Sequence, residues 1–128
     1  MRLLVDEDTA SATLITRLLA AGHEVVQLLH GTPDEVALNE AQRLTLPILT
    51  VNVGRKGRRD PVGLYQLALE RAPHCGVIGI FRPAPGRWLS DSLIVAALAR
   101  LAAQEQAQLG TALRPNSLTR LNDFLPQP

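Results

Sequence analysis

Apolar residues along this chain fall into two rhythms. Short unbroken runs alternate with stretches in which Leu, Ile, Val and Ala recur every three or four residues. The runs predict buried strands and the spaced stretches predict amphipathic helices. The runs are Arg2 to Val5, Glu24 to Leu28, Ile48 to Val53 and Gly76 to Phe81. The first helix carries Leu14, Ile15, Leu18 and Leu19, with Thr9 or Ser11 as its cap and Gly22 as its left-handed stop. The second carries Val36, Leu38, Ala41 and Leu44, capped by Thr32 or Asp34. A third holds Leu64, Leu67, Ala68 and Arg71. A long one runs from Ser90 to about Gln108 with Leu93, Ile94, Ala97, Leu98 and Leu101 on one face, a core stripe of which part could serve a homodimer. Leu118, Leu121, Phe124 and Leu125 predict one last docked turn of helix.

Strands that are apolar on both faces, joined by helices, imply a mainly parallel sheet covered on both sides. The expected fold is therefore α/β, a single three-layer domain with a four-stranded sheet over residues 1–110 and a C-terminal extension over 111–128. The chain has 128 residues, 46% of them hydrophobic, which suffices for one core. A net charge of +1 excludes recognition of nucleic acid by a globally basic surface. The single cysteine, Cys75, excludes an internal disulfide and a multi-Cys zinc site. Asp6, Glu7 and Asp8 interrupt the only N-terminal apolar run, so neither a signal peptide nor a membrane span is expected, and a cytoplasmic location is.

In parallel α/β sheets the working crevice lies at the carboxyl ends of the strands. Asp6, Asp34, Glu35 and Asp60 all fall on that rim. Carboxylates gathered at one edge repel one another, and a hard dication relieves the repulsion. Such an ion can activate water for phosphoryl displacement. The competing reading makes Asp34 only a cap, and Glu7 and Asp8 only first-turn acids favoured by the helix dipole. Beside the rim, the Gly-flanked loop 54–60 carries Arg55, Lys56, Arg58 and Arg59, suited to phosphate contact or equally to a solvated surface. His23 reads as a turn residue. His74 and Cys75 are adjacent on a strand and face opposite ways, so they do not form a nucleophile–base pair. Trp88 reads as an anchor for the long helix.

The order of these features resembles bacterial PIN-like proteins, relatives of the toxin ribonucleases of toxin–antitoxin pairs. The resemblance rests on the opening strand ending in Asp6, on RLLAAGHEVV (residues 17–26), on the Gly31–Glu35 turn, on ILTVN (48–52), on HCGVIGIF (74–81) and on LNDFL (121–125). It implies a metal-dependent ribonuclease using Mg²⁺ or Mn²⁺, with RNA as substrate and an antitoxin-like protein as partner. Carried over by position, Asp6 is a metal ligand and Asp34 or Glu35 is the second. The family places a further Asp soon after the strand-three Thr. Here Thr50 is followed by Asn52 and then by cations, and the next acid is Asp60. Either the loop is longer and Asp60 completes the set, or one acid is lost. Thr50 or Asn52 would orient water or phosphate. The alternative is a catalytically weakened PIN-like module that binds RNA or a partner protein through the basic loop. A phosphoacceptor receiver domain is disfavoured, because Asn52 stands where that chemistry needs an Asp.

Overall fold

The computed structural model describes residues 1–6, 9–29, 31–51, 53, 63–68, 70–71, 73–84, 86–109, 113 and 115–126, with the backbone alone at 66 and 105–109. The elements in chain order are β1 (Arg2–Val5), α1 (Ala12–Ala20), β2 (Glu24–Gln27), α2 (Asp34–Leu44), β3 (Ile48–Thr50), α3 (Leu64–Leu67), β4 (Val77–Gly79), α4 (Asp91–Leu109) and β5 (Leu118–Arg120). A 3₁₀ turn, Leu121–Phe124, follows β5.

All the strand pairings are parallel, in the order β2-β1-β3-β4-β5. The sheet thus has five strands where the sequence pattern predicts four. The fifth is Leu118-Thr119-Arg120, expected as a turn of helix. Three residues with a single apolar side chain carry no strand signature; β5 exists because β4 offers it a ladder. The Val77 N–H donates to Ser117 O at 2.9 Å, and Gly79 pairs with Arg120.

Each strand sends alternate side chains to opposite layers. Leu3, Val5, Leu49, Ile78 and Ile80 meet Leu14, Leu18, Ile94, Leu98 and Leu101 from α1 and α4. Leu4, Ile48 and Val77 meet Ala37, Leu38, Ala41 and Leu64 from α2 and α3. The central strands β1, β3 and β4 are buried on both faces, which is why they read as unbroken apolar runs. A buried Leu or Ile of this kind contributes about 1.5–3 kcal/mol.

The helix ends follow local chemistry. Ser11, not Thr9, caps α1: its Oγ accepts the Leu14 N–H at 3.1 Å. Gly22 leaves that helix at φ +92°. At α2 neither expected residue caps. Pro33 occupies the N-cap, Asp34 is the first helical residue, and the Thr32 hydroxyl donates to Leu29 O at 2.6 Å. Ser90 accepts from the Leu93 N–H at the start of α4, as its spacing predicts. Among the described residues no helix is long and apolar enough to cross a membrane.

Candidate functional site

In the strand order 2-1-3, the chain leaves β1 toward one side of the sheet and returns to the other. The switch falls between β1 and β3, and the crevice outside their carboxyl ends is where doubly wound folds place ligands. Asp6 and Thr50 stand there. Val5 pairs with Leu49, so the next step along each strand brings Asp6 beside Thr50. The Thr50 hydroxyl donates to Asp6 Oδ2 at 2.6 Å. The Thr9 hydroxyl donates to Asp6 Oδ1, and Thr9 Oγ1 itself accepts the Val51 N–H at 2.8 Å. The Asp6 carbonyl takes the N–H groups of Thr9 and Ala10, folding the chain back after β1.

All three side chains are buried: Asp6 is 4% exposed, Thr9 6% and Thr50 0%. A buried carboxylate is tolerated only with donors on its oxygens. Two hydroxyls from different segments supply them and hold the carboxylate in one orientation. Thr9 was readable only as a cap candidate. The available signal was its position three residues after an Asp at a strand end, a spacing that favours local side-chain hydrogen bonds.

The other candidates separate. Asp34 is half-buried at the first position of α2, on the same carboxyl rim by topology. Glu35 accepts from Arg71 Nη2 at 2.6 Å, and both side chains are more than half exposed. That pair borders a groove of about 400 Å³ lined also by Leu38, Asn39, Gln42, Glu70 and Pro73. Asn52, Arg55, Lys56, Arg58, Arg59 and Asp60 lie outside the described residues. Among the described residues, no group of three or more His, Cys, Asp and Glu side chains is arranged to hold a metal ion. Among the described residues, the side-chain donors at the switch point are the oxygens of Asp6, Thr9 and Thr50, a set that suits Mg²⁺ or Mn²⁺ rather than a softer metal.

The same strand row continues away from Asp6. Thr50 pairs with Gly79, and Gly79 with Arg120. A Cβ on Gly79 would stand 2.6 Å from Tyr65 Cδ2 and 3.0 Å from Phe81 Cε2. The missing side chain is therefore what lets the Tyr65 ring lie on the sheet here. Tyr65 meets Phe81 edge to face at 5.2 Å, and the Arg120 guanidinium lies 4.8 Å from the Phe81 ring centre. Asn122 clamps Phe81 by accepting its N–H at 2.9 Å and donating to its carbonyl at 2.7 Å. Burial raises the Tyr65 phenol above its ordinary pKa, partly offset by Arg120, so it stays protonated.

His23, His74 and Cys75 are not at this site. His74 Nδ1 accepts the Gly76 N–H at 3.1 Å, and Nε2 faces Ala68 O at 3.2 Å. The Cys75 thiol donates to Gln42 Oε1 at 3.6 Å, and burial raises its pKa, which suppresses the thiolate. Neither ring nitrogen of His74 is left for Cys75. Comparison with protein-family models, with curated proteins and with solved structures found no match.

Proposed function

We propose that this chain is a metal-dependent ribonuclease of PIN-like type, acting in the cytoplasm as the toxin of a toxin–antitoxin pair. The observation that carries the reading is the buried Asp6 carboxylate, oriented by Thr9 and Thr50 at the switch point of a parallel sheet. Asp6 with Asp34 or Glu35 would hold Mg²⁺ or Mn²⁺, and Glu35 would have to leave Arg71 to do so. The ion, when bound, supplies an activated water and neutralises charge on the phosphoryl group. Thr9 and Thr50 keep the Asp6 oxygens aimed. Arg55, Lys56, Arg58 and Arg59 would draw in the RNA backbone, with Asn52 beside them and Asp60 as a further acid.

The test is cleavage of single-stranded RNA by the purified protein with Mg²⁺, with Mn²⁺ and with chelator. Divalent-dependent cleavage that falls at least about a hundredfold in Asp6→Asn is expected, in line with losing a metal-orienting group. Asp6→Asn should still melt cooperatively, since an amide oxygen can accept from either threonine. Cleavage that is indifferent to Asp6 would overturn the reading. The Glu35–Arg71 pair favours a second reading by removing one carboxylate from the ligand set. In it the chain is a PIN-like module that holds RNA or a partner protein through residues 54–60 without cutting. Tight RNA binding with no divalent-dependent cleavage would select it.

A further inference from the structure

The carboxyl edge of the sheet carries, in strand order, an acid, a hydroxyl, an aromatic pair and a cation. Asp6 stands beside Thr50, Thr50 pairs with Gly79, and Gly79 with Arg120. Paired residues on parallel strands point to the same face, so this is one row on one side. Neighbouring strands lie about 4.8 Å apart, which puts the Arg120 backbone roughly 10 Å across the sheet from Thr50. We infer that Arg120, held on the Phe81 ring, is a phosphate-binding residue of this rim, contacting single-stranded RNA next to the phosphate presented at Asp6.

The geometry gives three reasons. Arg120 is preorganised: its guanidinium rests on Phe81 at 4.8 Å, while Phe81 is fixed by Tyr65 on one side and by the two Asn122 bonds through its backbone. A guanidinium held against a ring loses side-chain freedom in advance, and its planar set of N–H donors can grip a phosphate with two parallel bonds. Its side chain is 52% exposed, and its ion pair with Asp123 is long, 3.9 Å. Half-buried Tyr65 lies on the same row, and aromatic rings and arginine planes are the surfaces on which unstacked bases rest. Gly79 also acquires a reason, since any side chain there would displace Tyr65 and with it the support under Arg120.

The inference rests on the ribonuclease reading but is tested apart from it. Binding of a fluorescein-labelled single-stranded oligouridylate is followed by anisotropy in chelator, across a salt series. Arg120→Gln is expected to weaken binding about tenfold and to lower the log–log salt slope by about one. Arg120→Lys should recover part of the affinity. Phe81→Leu, checked for folding by its thermal melt, should weaken binding a few-fold with the slope unchanged. Arg43→Gln removes the same charge from the far end of α2, where Arg43 pairs with Glu40, and should change binding little. Arg120→Gln binding as tightly as the unaltered protein, or losing no more than Arg43→Gln, would overturn the inference. So would absence of RNA binding, or preference for duplex over single strands. If Arg120-dependent binding persists without any divalent-dependent cleavage, the ribonuclease reading fails and the phosphate site stands. If Asp6-dependent cleavage occurs with a KM that Arg120→Gln leaves unmoved, only the phosphate site fails.

Discussion

A carboxylate with almost no solvent contact can be kept in a fold only by the groups that donate to it. At Asp6 these include two threonine hydroxyls, one from the loop after β1 and one from the end of β3. The hydroxyl of Thr50 ties two strands together through a side chain, beyond the last pair of their ladder. Thr50→Val keeps the shape and removes the donor. It is expected to cost about 1–3 kcal/mol, the penalty for leaving a buried acceptor short of a bond. The check is urea unfolding at neutral pH, with the midpoint lowered and the m-value unchanged. A variant as stable as the original would mean that Asp6 gets its orientation from elsewhere, and the carboxylate would then lose its claim to be a prepared ligand.

Elements show where the sequence speaks plainly and where it does not. β1, β3 and β4 are near-solid apolar runs, and α1, α2 and α4 repeat with the helical period, so each was readable from spacing alone. β5 was not, because an edge strand of three residues takes its shape from its neighbour. Asp6 and Thr50 could each be singled out by position, but their contact depends on the β1–β3 register, which no local pattern encodes. Tyr65, Phe81 and Arg120 come from α3, the end of β4 and the end of β5, and only the fold assembles them. The end of α2 also departs from its sequence signal. Thr45 sits in the left-handed region at φ 58°, ψ 48°, where glycine is the usual residue, and its side chain is exposed. A β-branched residue there costs roughly 1–2 kcal/mol, part of which glycine would return as unfolded-chain entropy. Thr45→Gly is therefore expected to stabilise by about 0.5–1 kcal/mol, read as a higher urea midpoint.

At the scale of the whole molecule, both buried histidines tie the sheet to its surroundings in the neutral form. The His23 ring accepts the Met1 ammonium on Nδ1 at 2.8 Å, at the entrance to β1 and β2. His74 accepts the Gly76 N–H on Nδ1, at the entrance to β4. Protonating His23 would set two cations against each other, and protonating His74 would break the Gly76 bond. Desolvation lowers the pKa of both below 6.5, and at His23 the Met1 ammonium lowers it further. The unfolded chain takes up protons at the ordinary pKa, while the fold refuses them until lower pH. Stability is then fully present above about pH 6.5 and is lost as pH falls below it, by up to about 1.4 kcal/mol per pH unit for each imidazole. Most carboxylates remain ionised down to about pH 5, so the histidines dominate the window between. Urea midpoints measured from pH 7.5 to pH 5 should be level at the top and decline below. A flat profile across that range would show that neither ring is held neutral, and the two strand entrances would need another explanation for their order.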